Sequence, residues 1–321
     1  MDLTIGPHKV RLLGDPHLGK RFIEGVPLNR RGEREQLLWN DFDDSLRNLD
    51  GFDFHICMGD LFNSWFVPYD LILNVATNYY FASQVYPDTV FVILAGNHDM
   101  SKDLTKKSAF DIVNQILYRE ENIWMLSHPV KLDSLIFLPW SPTSSAEELV
   151  HSIPSDLYDA AFGHWDTDPR ITNGNLIPTK ALAELGITTA YTGHVHQKAS
   201  FVRDGVTVVQ VGSMQPYAHG EGDMYVTLSK EGVEDRIHNY GADWFKNKCV
   251  RVDLDPTEVW DIDLDCLQLQ VRRDKLDEVT GDEVSLENFD LNTILKESLD
   301  QYGIPEDVSS KITDKFMELR A

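Results

Sequence analysis

Short apolar runs rich in β-branched residues recur along the chain, and several of them stop at a polar cluster that contains glycine. Runs of this kind are typical of buried strands. They lie at residues 10–13, 54–58, 90–95, 158–162, 188–192 and 206–211. Between them are segments with a helical pattern, at residues 33–49, 69–85 and 109–118. The pattern therefore predicts strands that alternate with helices.

Strands that alternate with helices indicate an α/β fold. We expect a four-layer α/β/β/α sandwich, in which helices flank two mixed sheets, followed by a small C-terminal α+β or helical appendage. Open sheets of this kind hold their ligands in the crevice beyond the carboxyl ends of the strands. The polar clusters that follow the strands should therefore converge in space, however far apart they lie along the chain.

The chain changes character after about residue 230. The pattern of a strand followed by glycine stops, and a strand candidate at residues 249–254 precedes acidic sequence that favours helix. We expect a main domain at 1–230, a small domain at 231–285 and a helical tail at 286–321. In the tail, apolar residues recur at helical spacing. They are Leu291, Ile294, Leu295, Leu299, Val308, Ile312, Phe316 and Leu319.

Composition is that of an ordinary globular protein, with 42% hydrophobic and 25% charged residues. The first residues lack a basic segment followed by a long apolar run, and no stretch approaches the roughly 20 apolar residues of a membrane span. We therefore expect a cytoplasmic protein without a membrane partner. Cys57, Cys249 and Cys266 are isolated, which favours buried free thiols over a disulfide framework or a zinc ribbon.

The formal net charge of −23 argues against a chain that holds nucleic acid by itself through a broad basic face. Neutralisation of phosphates dominates such affinity. Either the substrate is not DNA, or another component holds the DNA. Divalent cations at the site would cancel part of the charge locally, and a partner subunit would supply basic surface. Composition alone leaves both alternatives open.

Five short polar motifs carry the candidate chemistry, and each follows a predicted strand. Their carboxylate, amide and imidazole groups, without thiolate, suit Mn²⁺, Fe²⁺ or Zn²⁺. Two ions about 3.5 to 4 Å apart need a bridging ligand, and the carboxylate of Asp60 suits that role. The motifs are Asp15-Pro16-His17, Gly59-Asp60, Gly96-Asn97-His98-Asp99, Gly163-His164 and Gly193-His194-Val195-His196.

This ligand set supports the hydrolysis of a phosphate ester by a metal-activated water. The leaving alkoxide also needs a proton, and a histidine held by a carboxylate can supply it near neutral pH. We expect His98 to be this acid, with Asp99 beside it as the second catalytic residue. The alternative for Asp99 is that it caps a turn or a helix start after the strand.

As a set, the motifs resemble the signature of the calcineurin-like metallophosphoesterases: DxH, GD, GNHD or GNHE, a later GH and a terminal GHxH. The resemblance implies a first ion on Asp15, His17 and His196, and a second on Asn97, His164 and His194. It also implies that Asp60 bridges the ions and that His98 contacts the scissile phosphate. The implied ion is Mn²⁺, with Mg²⁺ a poorer substitute.

Within this superfamily, residues 14–19 and 59–62 resemble the nuclease subunit of SbcC and SbcD recombination-repair complexes, including short viral versions. Gly212-Ser213 also falls where these proteins have a Gly-Ser turn. Two positions depart from the pattern: Asn63 stands where many relatives have Asp, and Met-Gln-Pro-Tyr follows Gly212-Ser213. The resemblance covers about the first 215 residues and implies a DNA endo- or exonuclease of a bacterial or virus-infected cell.

The same resemblance implies partners. DNA ends, hairpins or single strands would be the substrate, and an SbcC-type coiled-coil ATPase would bind the C-terminal helices. A homodimer would form through the region of residues 69–85, and residues 231–285 would cap the site or contact DNA. The alternative for the terminal helical pattern is packing onto its own small domain.

A local basic loop follows the first motif in this acidic chain. It suggests contacts with the phosphate backbone, and the alternative is an ordinary solvated loop. Trp65 and Phe66 also stand near the motifs and suit either a nucleobase or the core. The candidate substrate-binding residues are Lys20, Arg21, Arg30 and Arg31, with Arg34 close by.

Two other functions share this ligand set. A stand-alone small-molecule phosphodiesterase or phosphomonoesterase would use the same metals, because the surrounding loops determine the substrate. A non-catalytic binding module on the same fold is the other alternative, and the complete set of ligands argues against it.

Overall fold

The computed structural model describes residues 1–103, 105–171 and 174–273, together with Lys311, Ile312 and Lys315. The chain divides into one compact unit, Met1–Arg273, and a second unit, Asp274–Ala321. The predicted helical tail at 286–321 lies almost entirely outside the described residues. In the part of the chain that the structure describes, no helix is both long and apolar enough to cross a membrane.

The first sheet has five strands in the order β1-β2-β3-β4-β5. Strands β2 to β5 are parallel to one another, and β1 is an antiparallel edge strand. Parallel strands are buried on both faces, which explains why β3 and β4 are apolar nearly throughout. The strands are β1 (Asp2–Ile5), β2 (His8–Leu13), β3 (Phe54–Cys57), β4 (Val90–Leu94) and β5 (Ile123–Leu126).

The second sheet has six strands in the order β10-β11-β9-β8-β7-β6. Its four central strands are parallel, and β10 and β6 pair antiparallel at the two edges. The strands are β6 (Val130–Leu132), β7 (Leu135–Leu138), β8 (Ala160–Gly163), β9 (Thr189–Thr192), β10 (Ala199–Arg203) and β11 (Val206–Gln210).

Three apolar clusters hold the layers together. One joins the facing sides of the two sheets, with Leu12 and Ile56 from the first and Phe137 and Phe162 from the second. A second packs helices onto the outer face of the first sheet, and a third does so on the second sheet. The helices are α1 (Glu33–Ser45), α2 (Tyr69–Val85), α3 (Ala109–Leu117), α4 (Ala146–His151) and α5 (Thr179–Glu184).

The predicted α/β sandwich of mixed sheets flanked by helices is therefore confirmed. Helix α2 has the predicted bounds, whereas α1 ends at Ser45 instead of residue 49. The chain turns after α1 because Leu46 leaves helical geometry and Asn48 takes a positive φ of 56°. Burial of each large apolar side chain in these clusters stabilises the fold by about 1.5–3 kcal/mol.

A third, smaller sheet closes the first unit, and its three parallel strands have the order β12-β13-β14. Helix α6 packs on it through the buried Val233, which joins a separate apolar cluster with Phe245 and Val252. The elements are β12 (Tyr225–Ser229), α6 (Lys230–Tyr240), β13 (Cys249–Leu254) and β14 (Gln268–Arg273). The strand predicted at 249–254 is confirmed, and the domain boundaries predicted at 230 and 285 stay predictions.

The helix-favouring interpretation of the acidic sequence after β13 is wrong for the described residues, because no helix lies between Leu254 and Gln268. The exposed Asp261, Asp263 and Asp265 alternate there with more buried residues: Ile262, Leu264 and Cys266. Alternation with a period of two is the pattern of extended chain. The acidic composition favoured the helical interpretation over this two-residue period.

Candidate metal centre

The polar motifs lie where the two sheets present the carboxyl ends of their parallel strands. Asp15 follows β2, Asp60 follows β3, and Asn97 follows β4 in the first sheet. His164 follows β8, and His194 and His196 follow β9 in the second sheet. The fold therefore brings all seven predicted ligands to one place, although they span residues 15–196.

One group of donors consists of Asp15, His17 and His196, whose candidate ligand atoms all lie within 4.8 Å of one another. The Nε2 atoms of His17 and His196 are 3.1 Å apart. The second carboxylate oxygen of Asp15, Oδ2, accepts a hydrogen bond from the backbone N–H of His194. Asp15 Oδ1 and His17 Nδ1 are buried and lack a hydrogen-bond partner. An unpaired buried oxygen is costly, and a bound cation would satisfy it.

A second group consists of Asp60, His164 and His194, whose candidate ligand atoms also lie within 4.8 Å of one another. Asn97 joins it, because its Oδ1 lies 3.1 Å from His164 Nε2 and 2.9 Å from His194 Nδ1. The other ring nitrogen of His164 lies 2.9 Å from the carbonyl oxygen of Met58. If Nδ1 carries the proton for that bond, the lone pair of Nε2 is free for a metal.

Asp60 lies between the two groups. Its Oδ2 is 3.6 Å from His17 Nε2 and 3.4 Å from His164 Nε2, while Oδ1 accepts from the N–H of His98. Its backbone has a φ of 48°, and His17 and His194 also have positive φ values of 46° and 68°. Few non-glycine residues adopt this conformation, and it often marks functional sites. The position of Asp60 fits the predicted role of a carboxylate shared by both groups.

Electrostatics also favours bound cations. Burial raises the pKa of the Asp15 carboxyl to about 7 and lowers the pKa of His17 to about 3. Burial likewise opposes ionisation of Asp60, but the nearby His164 imidazole holds the Asp60 pKa below its ordinary value. Among the described residues, the ion-pair partners of Asp15 and Asp60 are histidines, not lysine or arginine. Divalent cations would supply the missing positive charge.

Comparison with known proteins identifies the family. The model of the family described as "Calcineurin-like phosphoesterase" matches residues 8–198, more than half of the chain. The chain belongs to this family. Its His and Asp clusters are consistent with the two-metal site typical of metallophosphoesterases. Together these findings assign the chain as a metal-dependent phosphoesterase.

Two solved structures are similar to this phosphoesterase. One is the phosphopantetheinyl hydrolase PptH from Mycobacterium tuberculosis, with 10% identity, a TM-score of 0.40, and coverage of 65% of this chain and 93% of the other. The second is GAP50, the anchor in the inner membrane complex of Plasmodium, with 14% identity, a TM-score of 0.40, and coverage of 67% and 74%. A search of curated protein sequences finds no significant match.

Two carboxylates that the sequence did not single out contact predicted metal ligands of this phosphoesterase. Glu221 Oε1 is 3.4 Å from His196 Nδ1, and Asp166 Oδ1 is 2.9 Å from His194 Nε2. The other oxygen of Glu221 accepts from the N–H groups of Tyr217 and Ala218. Such outer partners orient metal-binding histidines. Neither residue stands in a motif, so no sequence pattern marked them.

The predicted pairing of His98 with Asp99 is wrong. The buried Asp99 carboxylate accepts from the backbone N–H groups of Leu61, Phe62 and Gly96, at 3.1, 2.9 and 2.9 Å. Asp99 thus ties the loop after β3 to the loop after β4. This role is close to the alternative in which Asp99 caps a turn. The exposed ring of His98 instead places Nδ1 2.8 Å from the carbonyl oxygen of Asn63.

The arginines of the predicted DNA-binding loop do not all face solvent. Arg30 is only 6% exposed, pairs with Glu33 and Asp265, and donates to the carbonyl oxygen of Lys246. These contacts favour a structural link to the small sheet over a phosphate contact. The buried Arg34 likewise donates to the carbonyl oxygen of Pro216 and stacks on Phe22 and Tyr225.

The other basic residues of the loop remain accessible. Arg21 and Arg31 are exposed, and Lys20 is half-buried with its Nζ 5.1 Å from the Tyr217 ring centroid. Lys20 and Arg21 line two neighbouring clefts, of about 450 and 270 Å³. Burial lowers the pKa of Lys20, although the carboxylate of Glu221 opposes this shift. The phosphate contacts that the sequence predicts for Lys20, Arg21 and Arg31 therefore stay a prediction.

Proposed function

We propose that this phosphoesterase is a DNA nuclease, the nuclease subunit of an SbcC/SbcD-type recombination-repair complex, which hydrolyses phosphodiester bonds. One observation carries the proposal. Two clefts, of about 470 and 420 Å³, both contain the ligand Asn97 and the exposed Lys102. A site that opens into more than one cleft suits a polymer that extends beyond the scissile bond. A small ester needs only one pocket.

The ligand chemistry supports two divalent cations, and we propose Mn²⁺, with Mg²⁺ as a substitute. When bound, the cations would activate a water and neutralise charge on the phosphoryl oxygens. Asp15, His17 and His196 would hold one ion, Asn97, His164 and His194 the other, and Asp60 both. Glu221 and Asp166 keep two of these imidazoles oriented.

His98 supplies the proton for the leaving oxygen in this proposal. Its Nδ1 lies against the carbonyl oxygen of Asn63, which can only accept, so Nδ1 carries a proton. In the imidazolium form of the ring Nε2 carries a second proton, which it would donate to the leaving alkoxide in the cleft that His98 lines. The carbonyl oxygen of Asn63 orients the His98 ring, a role that the sequence analysis gave to Asp99.

The first experiment compares His98→Ala with the intact protein on labelled linear DNA in Mn²⁺, with bis-p-nitrophenyl phosphate in parallel. Loss of the proton donor should lower kcat for DNA cleavage by about 10²- to 10⁴-fold. Bound metal should not change, because His98 is not among the seven proposed ligands. His238→Ala, an exposed histidine in α6, is the control and should keep full activity. Full DNA cleavage by His98→Ala would contradict the assigned role.

The net charge of −23 is the observation that favours the second candidate, a stand-alone small-molecule phosphodiesterase or phosphomonoesterase. The same experiment separates the two functions. If bis-p-nitrophenyl phosphate is hydrolysed while DNA survives, with and without an added coiled-coil ATPase, the phosphoesterase assignment stands and the nuclease proposal falls.

The proposed ATPase partner accounts for the acidity, because a partner that holds DNA would supply the positive surface. The segment of this chain that we propose binds the ATPase is 286–321. It lies outside the described residues apart from Lys311, Ile312 and Lys315. A chain that ends at residue 285 should keep hydrolysis of bis-p-nitrophenyl phosphate and lose co-purification with an SbcC-type ATPase. Unchanged co-purification would contradict the tail assignment.

The homodimer stays a prediction. Helix α2 presents exposed apolar side chains, and Ile116 adds another on α3. These side chains would supply the apolar surface of a dimer interface. On α2 they are Tyr69, Leu73, Tyr80, Phe81 and Val85.

A further inference from the structure

An exposed aromatic pair stands beside the metal centre. Phe66 is 67% exposed, and the half-buried Trp65 lies next to it with ring centroids 5.9 Å apart. The pair follows the loop that begins at the bridging Asp60. A single exposed aromatic side chain is ordinary, but Phe66 stands next to Trp65, which lines a cleft beside the candidate metal centre.

Trp65 lines the cleft of about 420 Å³ that also contains Asn97 and His98. The backbone of Trp65 is anchored, since its carbonyl oxygen accepts from the N–H of Ala109 at the start of α3. An anchored backbone lets the ring offer a fixed surface at little entropic cost. The aromatic surface and the candidate acid therefore share one cleft.

The same cleft is basic, unlike the chain as a whole. Lys102 and Lys106 line it, and the Lys106 Nζ lies 5.7 Å from the centroid of the Trp65 ring. Among the described residues that line it, Asp103 is the one carboxylate, and its Oδ2 lies 3.5 Å from Lys106 Nζ. Lysines beside an aromatic ring are the combination that binds single-stranded nucleic acid, because cations contact phosphates while rings stack on bases.

We propose that Trp65, Phe66, Lys102 and Lys106 form a nucleobase subsite, which stacks the unpaired base of the leaving nucleotide. This inference rests on the proposed nuclease function and deepens it. His98 donates to the leaving oxygen and lines the same cleft, so the nucleotide in this cleft is on the leaving-group side. A base in a duplex must first leave its stack, whereas a base in a single strand or a frayed end enters freely. The subsite therefore selects unpaired DNA.

A binding measurement without metal tests the subsite separately from catalysis. 2-Aminopurine is placed at successive positions of a short single-stranded oligonucleotide, in EDTA. We expect its fluorescence to be quenched at one position, and Trp65→Leu to remove that quenching, because Trp65 lines the cleft. Tyr240→Ala, which removes another 61% exposed aromatic side chain, is the matched control and should leave the quenching intact. Quenching that Trp65→Leu leaves unchanged would overturn the proposal.

A kinetic measurement in Mn²⁺ completes the test. An oligonucleotide with one abasic residue on the leaving side should lose about tenfold in kcat/KM with the intact protein, because stacking on aromatic rings is of this order per base. Trp65→Leu and Phe66→Ala should cleave intact and abasic strands at the same reduced kcat/KM. Tyr240→Ala should keep the full sensitivity to the abasic residue.

The outcomes separate the two proposals. If the intact protein cleaves abasic and intact strands equally well, the subsite is wrong and the nuclease function stands. If it hydrolyses bis-p-nitrophenyl phosphate but cleaves no oligonucleotide, the nuclease function fails and the subsite fails with it.

Discussion

Replacement of Asp60 by alanine is expected to lower Mn²⁺-dependent phosphodiester hydrolysis by about a thousandfold or more, since a two-metal site contributes several kcal/mol to catalysis. Asp60 Oδ2 lies between His17 and His164, so its loss removes the ligand that we propose is common to both groups. Metal content after dialysis, measured by elemental analysis, should fall below that of the intact protein. Circular dichroism should show that the variant is folded.

Asp60→Asn refines the result, because the amide keeps an oxygen for the N–H of His98 but loses the charge. We expect it to bind metal weakly as well, which would identify the charge as the decisive property. Asp50→Ala, at an exposed carboxylate, is the control. Full metal content together with full activity in Asp60→Ala would exclude a bridging role.

Asp99→Ala is expected to destabilise the protein by about 3–5 kcal/mol, because three buried N–H groups would lose their acceptor at about 1–3 kcal/mol each. Oδ2 accepts from Leu61 and Gly96, and Oδ1 from Phe62. In Asp99→Asn the amide oxygen can still accept two of these bonds, so we expect a smaller loss of about 1–2 kcal/mol. Urea denaturation of the intact protein, Asp99→Asn and Asp99→Ala measures the order of their free energies of unfolding.

The comparison with His98→Ala separates structure from chemistry at these adjacent positions. Asp99→Ala should lose stability and metal together, since it releases the loops that carry Asp60 and Asn97. His98→Ala should lose activity alone. If Asp99→Ala were as stable as the intact protein, the three hydrogen bonds would not hold these loops.

The candidate ligand set could be predicted from the sequence because five of its seven members directly follow a glycine at the end of an apolar run: Asp15, Asp60, Asn97, His164 and His194. The run predicts the strand, and the end of a parallel strand fixes which edge of the sheet the polar residue reaches. Asp60 and Asn97 come together this way, from adjacent strands. Strands with less apolar sequence, such as β10 and β14, carry a weaker pattern and escaped prediction.

Partnerships between distant side chains could not be predicted. An arginine at position 30 looks the same in the sequence whether its partner is a phosphate or a carboxylate. Its partner in the structure is Asp265, which lies 235 residues away along the chain. Asp99 adjoins His98 in sequence, yet successive residues of a turn point in different directions, and its carboxylate meets backbone N–H groups instead. Glu221 resembles any surface carboxylate until folding brings His196 to it.

The left-handed backbone at His17, Asp60 and His194 has a consequence for how this fold can evolve. Each of these residues holds a conformation that only glycine adopts without cost, at about 1–3 kcal/mol per position. Asp15 and Asp60 add the cost of burying charge. The ligands therefore work against the architecture that carries them. A lineage released from selection for catalysis would gain stability as it lost them, and the sandwich would survive as an inert scaffold.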